Sequence, residues 1–200
     1  MTPEESRRRR EAALAGHVAD EPAARRFLLD PSAAIRATAL AALGRMGQVS
    51  ASDVEAALAD VEPLVRRRAC EVAIDLPVEL LGALADPDAS VAEAAAWALG
   101  ERGGAPAEAV EALSAVATGH DDALCREAAV ASLGAIGDER GLPAVLAATA
   151  DKPAIRRRAV IALAPFDGAL VAAALQRALA DRDWQVRQAA EDLLGDRATG

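Results

Sequence analysis

Apolar positions along the chain recur in one frame, six times, at intervals of 26 to 34 residues. Each frame begins at an apolar residue that we call the anchor; the anchors are Ile35, Val65, Val91, Cys125, Ile155 and Val186. An alanine stands four residues after every anchor, at Ala39, Ala69, Ala95, Ala129, Ala159 and Ala190. An arginine follows the anchor directly in every frame except the third, which has Ala92; these arginines are Arg36, Arg66, Arg126, Arg156 and Arg187. A period of this length indicates stacked supersecondary units rather than one globular core.

Each frame predicts two helices joined by a short turn, as the third repeat illustrates. Pro77 is placed to open a first helix, where its missing N–H is not needed. Residues 86–88 break the chain, and Asp88 is placed to cap a second helix. Apolar residues then follow at four-residue intervals, at Val91, Ala95 and Leu99, and so lie on one face of this helix. The repeat therefore predicts helix, turn, helix and loop.

The same start and stop signals recur in the other repeats. Prolines open the first helices at Pro22, Pro77, Pro106 and Pro143. The residues three before the anchors are the predicted N-caps of the second helices, namely Ser32, Glu62, Asp88, Asp122, Lys152 and Asp183. Where the cap is a poor one, Pro63 or Pro153 follows it at the first helical position. Glycines predict the ends of the second helices near Gly44, Gly100, Gly134 and Gly195, with Gly103 and Gly104 after the third.

An additional helix is predicted before the first repeat, over residues 3–15. It begins with a capping box formed by Thr2 and Glu5, and we interpret it as a polar cap that shields the first repeat from water. We therefore predict one all-α domain, a right-handed α-solenoid of about six helical hairpins plus this N-terminal capping helix. The predicted boundaries are 1–21 for the capping helix and its loop, then 22–48, 49–76, 77–104, 105–140, 141–167 and 168–196 for the repeats.

The frame resembles a known family. Leu29-Asp30-Pro31, followed by Ile35-Arg36, Ala39 and Leu43-Gly44, is similar to the HEAT repeat, particularly the short bacterial form named after phycobilisome lyases. The resemblance covers about residues 22–196 and implies a HEAT/armadillo-like superhelix. It also implies a ladder between repeats, in which the arginine after the anchor contacts an aspartate of a neighbouring inter-helix turn. That aspartate is present as Asp30, Asp60, Asp86 and Asp181, whereas His120 and Ala150 depart from the pattern in repeats four and five.

Composition restricts the class of protein further. The chain is 52% apolar but only 2% aromatic, which predicts a core of closely packed helices with small side chains. No run approaches roughly 18 apolar residues, and no apolar stretch follows the arginines at 7–10, so we expect neither a membrane span nor a secretory signal. Cys70 and Cys125 fall at core positions and predict reduced thiols in a cytoplasmic protein. The abundance of alanine and arginine is typical of a GC-rich bacterial genome.

Signatures of catalysis are scarce. The two histidines, His17 and His120, lie too far apart in a linear stack to share a site. His120 stands near Asp121, Asp122 and Cys125, which could form a metal site or a nucleophile–base pair. We favour a turn histidine with capping aspartates and a core cysteine. The common motifs of metalloenzymes, hydrolases and nucleotide-binding proteins do not occur, nor do the His-Glu pairs with which HEAT-like deoxyhypusine hydroxylases bind iron. We therefore expect no enzymatic activity, cofactor or metal.

The resemblance leaves two other function classes as alternatives. A HEAT-like nucleic-acid-binding or DNA-repair protein would need a basic stripe. The chain has arginine clusters at 7–10, 66–68 and 156–158 but a net charge of −9, so nucleic acid is not the expected partner. A subunit of a bilin-chromophore lyase would need an aromatic, basic cleft, for which two tryptophans and two phenylalanines are a thin supply.

Positions two and six residues after the anchors lie opposite the buried stripe of each second helix and form the candidate partner-binding surface. In the family that the chain resembles, second helices line the concave face of the superhelix, where partners bind. The candidate residues are Arg67, Glu93, Trp97, Arg157 and Ile161. The Trp97 ring either stands exposed between small residues or folds over to seal a gap in the core. We predict a non-enzymatic scaffold or adaptor that binds a protein partner along this face.

Charge is concentrated in the middle of the chain. Residues 53–122 include 15 acidic and 4 basic side chains, which is a balance of −11. Such a localised excess favours a partner with a basic surface.

Overall fold

The structure is a computed structural model that describes residues 2–102 and 106–199, with side chains as far as residue 195. All regular structure in these residues is helical, which confirms the all-α class. The α-helices are α1 Pro3–His17, α2 Glu21–Arg25, α3 Ala33–Met46, α4 Ala51–Leu58, α5 Pro63–Val72, α6 Ala89–Glu101, α7 Ala107–Gly119, α8 Ala123–Ile136, α9 Leu142–Ala148, α10 Pro153–Ala162, α11 Ala169–Ala178 and α12 Trp184–Thr199. Two 3-10 helices lie at Leu81–Ala85 and Glu139–Gly141. The chain forms two compact units that divide after residue 98.

Helical hairpins build each unit. In the first unit, α2 packs on α3 and α4 packs on α5. In the second unit, the hairpins are α7 with α8, α9 with α10 and α11 with α12. We call α3, α5, α6, α8, α10 and α12 the second helices, since each begins just before an anchor. Neighbouring second helices also pack side by side within a unit, α3 on α5 and then α8 on α10 and α10 on α12.

The repeated frame forms the core. All six anchors and all six alanines four residues later are buried. Because the anchor and this alanine are one helical turn apart, they put the same face of every second helix inward. The small alanine side chain lets the neighbouring helix approach closely, while leucines and valines fill the space between. Cys70 and Cys125 are both buried, as their positions in the frame predict.

The starts of the second helices are also as predicted. Glu62 and Lys152 are N-caps without a side-chain cap hydrogen bond, and in both helices proline follows in the first turn. Asp122 is the N-cap of α8, and its carboxylate accepts the N–H of Leu124 at 2.7 Å. The cap before the first repeat is confirmed as well: Thr2 and Glu5 form the reciprocal capping box of α1.

The predicted first helix of the third repeat is wrong. No α-helix starts at Pro77; the segment is irregular until the short 3-10 helix Leu81–Ala85. The physical reason is length, because the interval from Val65 to Val91 is the shortest in the chain. Val78 and Leu80 are buried from an irregular backbone, and the Glu79 carboxylate accepts the N–H of Leu81 at 2.8 Å. A 3-10 turn covers more length per residue than an α-helix and so completes the shortened repeat.

Helices α3, α6 and α8 end within two residues of Gly44, Gly100 and Gly134, as predicted, but these glycines and Gly195 lie inside their helices and do not cap them. The left-handed residues that end α3 and α8 are Gly47 and Gly137, with φ of 66° and 67°. Gly103, Gly104 and the repeat boundary between 104 and 105 lie outside the described residues.

The helical glycines instead mark the points where second helices touch. A Cβ on Gly44 would lie 2.9 Å from Cγ1 of Val72, and one on Gly100 would lie 2.5 Å from Oγ of Ser132. One on Gly134 would lie 2.6 Å from both Cα and Cβ of Ala162. Each of these glycines is nine residues after the anchor of its own helix. Each contacted residue is seven residues after the anchor of the following second helix. In these three repeats, the position nine residues after the anchor therefore has no room for a Cβ atom.

The arginine–aspartate ladder is present, and it is more complete than the sequence pattern implies. Arg36 binds Asp60 with two hydrogen bonds of 2.8 and 2.7 Å, and Arg66 binds Asp86 at 2.7 and 2.8 Å. In the second unit, Arg156 binds Asp181 in the same way, at 2.9 and 2.7 Å.

The departure at Ala150 does not interrupt the ladder. The neighbouring Asp151 takes the place of the expected aspartate and binds Arg126 at 2.7 and 3.0 Å. His120 is a true substitution, but it keeps part of the role of the carboxylate. Its Nδ1 accepts the N–H of Asp122 at 3.0 Å, as Asp60 accepts the N–H of Glu62 at 2.9 Å.

Each ladder arginine also closes the turn of its own repeat. Nη1 of Arg66 donates to the backbone oxygen of Asp60 at 2.9 Å, and Nη1 of Arg126 donates to that of His120 at 2.8 Å. One guanidinium thus ties its own inter-helix turn to the turn of the next repeat. This is possible because arginine presents several donors in a planar fork.

Helix α1 follows part of the frame of a second helix. Arg8 is bound to Asp30 at 2.9 Å, as a ladder arginine is, and a Cβ on Gly16 would lie 2.8 Å from Cβ of Ala42. The anchor and alanine positions are taken by Arg7 and Glu11, which are both exposed, and the buried alanine is Ala12, one residue later. The capping helix is therefore a second helix whose outer face has become polar.

We expect the ladder to make stability dependent on pH in the acid range. Hydrogen bonds from Arg36, Arg66, Arg126 and Arg156 lower the pKa of Asp60, Asp86, Asp151 and Asp181 respectively below the ordinary value of 3.8. A lowered pKa in the folded state means that the ladder stabilises fully above about pH 4 and that this contribution is lost as the pH falls through the folded pKa. Urea denaturation at a series of acid pH values measures the slope. Asp181→Asn should be less stable at neutral pH but lose less on acidification; an unchanged slope would contradict the assignment.

Candidate functional site

Two open grooves lie on the outward faces of second helices, one in each unit. The first groove, of about 430 Å³, is formed by Arg67, Arg68 and Glu71 of α5 and by Ser90, Glu93, Ala94 and Trp97 of α6. Arg67 and Glu93 are two residues after their anchors, which turns them away from the core. Trp97 is 43% exposed, so a large part of the residue faces solvent in the groove.

Of the two carboxylates in the first groove, one has ion-pair partners among the described residues and the other does not. Glu71 forms ion pairs with both arginines, at 3.0 Å from Arg67 and also with Arg68. Within the described part of the chain, Glu93 has no ion-pair partner. The groove therefore offers an indole face next to an uncompensated carboxylate.

The second groove, of about 460 Å³, lies between α10 and α12. Its apolar part consists of Ile161 and Trp184, which are 41% and 64% exposed, together with Leu193. Its polar part consists of Arg157, Gln185 and the hydrogen-bonded pair Gln188–Asp192, in which Nε2 donates to Oδ1 at 2.8 Å.

The five predicted partner-binding residues divide between these grooves. Arg67, Glu93 and Trp97 line the first groove, whereas Arg157 and Ile161 line the second. The structure thus brings together residues that belong to consecutive second helices of one unit.

Sequence reasoning missed Trp184, the most exposed aromatic side chain of the second groove. The residue lies two positions before the anchor Val186, outside the positions that were selected. A signal was present, because Trp184, Gln188 and Asp192 follow one another at four-residue spacing and share a helix face.

The region around His120 is structural. Cys125 is buried, Asp122 caps α8 and the His120 ring closes the turn before it. Among the residues that the structure describes, no three histidine, cysteine, aspartate or glutamate side chains come close enough together to hold a metal ion. None of the described helices combines the length and the apolar character that a membrane span requires.

Comparisons with known proteins agree on the architecture. A family model described as HEAT repeats matches residues 77–164. The structure of YibA from Escherichia coli is similar with a TM-score of 0.70 and 18% identity, over 98% of this chain and 76% of that one. Human deoxyhypusine hydroxylase has a TM-score of 0.52 and 22% identity, over 96% and 80%. A designed armadillo repeat protein in complex with the peptide (KR)4 has a TM-score of 0.54 and 14% identity, over 95% and 90%.

These structural similarities show the fold alone, because the identities are low. No curated protein sequence matches the chain. The family match over residues 77–164, together with the shared fold and the buried anchors and alanines, shows that this part of the chain consists of HEAT repeats and that the chain has a HEAT/armadillo-like repeat fold.

Proposed function

We propose that the chain is a non-enzymatic scaffold that binds segments of a partner protein in the grooves between its second helices. The observation that carries this proposal is the exposure of two indoles, Trp97 and Trp184, each in a groove that also contains an arginine of a preceding second helix. Tryptophan and arginine are the residues that most often dominate binding energy at protein interfaces. Both grooves are open, so an extended segment or a helix of a partner can enter without rearrangement of the core.

The first groove favours a basic segment. A lysine or arginine side chain placed over the Trp97 ring would gain a cation–π interaction and could reach the carboxylate of Glu93. Part of the acidic excess in residues 53–122 is used internally, since Asp53, Asp60 and Asp86 are each bound to an arginine of another helix or turn and Glu71 is bound to two arginines. Glu93 has no such partner among the described residues and is the carboxylate that lies next to Trp97 in the groove.

Nucleic acid is less well supported than protein as a partner. In the cluster 66–68, Arg66 is a ladder residue, and Arg67 and Arg68 share one ion-pair partner, Glu71. In the cluster 156–158, Arg156 is bound to Asp181, and Arg158 lies 3.6 Å from Glu127. The arginine runs of the sequence thus do not form a continuous basic stripe. A bilin-lyase role and the cytoplasmic location stay predictions.

A basic octapeptide, (Lys-Arg)4, is a suitable probe of the first groove because such a peptide occupies the designed protein of similar fold. We expect the native chain to bind the labelled peptide and Trp97→Ala to weaken binding by about 2 kcal/mol. Glu93→Lys should slow association and reduce its salt dependence. Fluorescence polarisation at several salt concentrations measures both effects.

The control is Glu55→Lys, which changes net charge equally but lies on the exposed surface of α4, outside both grooves. It should leave most of the binding intact. Equal losses for Glu55→Lys and Glu93→Lys would show attraction to net charge and not to the groove. If Trp97→Ala unfolds the chain at ordinary temperature while affinity per folded molecule is unchanged, the ring is structural and the first groove is not a binding site.

A further inference from the structure

Among the described residues, the charged side chain without an ion-pair or hydrogen-bond partner is a carboxylate, Glu93, in the first groove and a guanidinium, Arg157, in the second. The two grooves therefore favour ligands of opposite charge. We propose that the second groove binds a peptide segment in which an aspartate or glutamate side chain, paired with Arg157, lies next to a large apolar side chain that packs on Ile161 and Trp184. This inference rests on the proposed function, since it names the partner chemistry of one of its two grooves.

Two segments of the chain provide an internal comparison. Residues 63–72 read PLVRRRACEV and residues 153–162 read PAIRRRAVIA, and each forms a second helix that begins with proline. The first arginine of each triplet is a ladder residue, bound to Asp86 or Asp181. The segments therefore place their three arginines at equivalent positions.

The two segments differ in the acidic partner of their second and third arginines. In α5, Glu71 stands six residues after the anchor and binds the two remaining arginines. In α10 the equivalent residue is Ile161, and its side chain is 41% exposed in the groove. Arg158 is 3.6 Å from Glu127, but Arg157 has no ion-pair partner among the described residues. The substitution of isoleucine for glutamate thus leaves one guanidinium uncompensated beside an apolar surface.

No other group of the groove takes over that role. Asp192 lines the groove, but its Oδ1 accepts the Gln188 amide at 2.8 Å, and it lies outside ion-pair distance of Arg157. A carboxylate supplied by a ligand would complete a charge-assisted, bidentate pair with the guanidinium. The neighbouring Ile161 and Trp184 would exclude water from that pair and receive an apolar side chain of the same segment.

The test uses a random dodecapeptide library displayed on phage and selected on the immobilised full chain. Selected peptides are synthesised and their affinities measured for the native chain and for variants. Peptides that depend on Trp184 should contain Asp or Glu close to a large apolar residue. They should lose about tenfold in affinity with Arg157→Gln. They should lose a similar factor with Ile161→Glu, which recreates the intramolecular counter-ion found in α5.

Arg177→Gln is the matched control, because it removes one positive charge from an exposed residue of α11 outside the groove. It should change affinity less than twofold. Thermal unfolding should be the same for the native chain and all variants, since the altered residues are exposed.

Four outcomes would overturn the inference. The first is that Trp184-dependent peptides show no enrichment in Asp or Glu, and the second is that they bind Arg157→Gln and Ile161→Glu with undiminished affinity. Either result would agree with the scaffold function but would show that the ligand needs no carboxylate. Arg157-dependent binding of a labelled poly-dT oligonucleotide at near-physiological salt would assign the guanidinium to phosphate. Failure to select any peptide that depends on Trp97 or Trp184 would refute the scaffold function itself.

Discussion

A Gly134→Ala variant is expected to be destabilised, although alanine is the better helix former. The added Cβ would lie 2.6 Å from Cα and Cβ of Ala162 and 3.1 Å from its carbonyl oxygen. Two of these three atoms belong to the backbone of α10, so no side-chain rotation can relieve the contact, and α8 and α10 must move apart. Overpacking of this kind costs on the order of 1–3 kcal/mol. Urea denaturation with a fitted midpoint and slope measures the loss.

The chain contains a matched control for this prediction. Gly195 stands at the same position of the frame in α12, nine residues after its anchor, and a Cβ there would meet no atom within 4 Å. Gly195→Ala should therefore be neutral or should stabilise by about 0.5–1 kcal/mol, because the unfolded chain loses freedom without strain in the helix. If Gly134→Ala and Gly195→Ala shift the midpoint in the same direction and by the same amount, the close approach of α8 and α10 does not limit stability.

These glycines also show what the sequence can and cannot specify. The anchors and the alanines identify the buried face, because periodicity is a local property that survives in the fold. A glycine near the end of a helix has two physical uses, a left-handed cap or a close contact, and both place it just before a loop. Gly47 has the first use and Gly44 the second, three residues earlier. Only the position of Val72, which comes from another repeat, separates them.

The sequence-based predictions of the ladder and of the grooves were incomplete for the same reason. Asp151 was overlooked because the turn before α10 has its carboxylate one residue later than the other turns, a shift that periodicity does not register. Arg67, Glu93 and Trp97 were selected correctly as outward-facing residues, since helix geometry determines which positions face away from the core. Their assembly into two separate grooves, and the contribution of Trp184, depend on which helices are neighbours within a unit.

Replacement of a ladder arginine should be more damaging than its place near the surface implies. Arg156 is the most enclosed of these residues; its side chain is 8% exposed and that of Asp181 is 16% exposed. Its guanidinium forms two hydrogen bonds to Asp181 and one of 2.9 Å to the backbone oxygen of Asp151. Arg156→Ala removes all three and leaves a largely buried carboxylate without its counter-ion. We expect a loss on the order of 2–3 kcal/mol in the free energy of unfolding.

Two further variants separate the ladder from ordinary surface charge. Arg140 is bound to Asp138, but half of its side chain is exposed, so Arg140→Ala should leave the denaturation midpoint unchanged. Arg156→Lys keeps the charge and lacks the planar fork, so it should recover only part of the loss. A double-mutant cycle of Arg156→Ala with Asp181→Ala then measures the coupling across the two repeats. A coupling energy near zero, or equal midpoints for Arg156→Ala and Arg140→Ala, would mean that helix packing alone holds these repeats together. A clear coupling would instead identify one guanidinium as a joint between two inter-helix turns, repeated through Arg36, Arg66 and Arg126 wherever the frame supplies an aspartate.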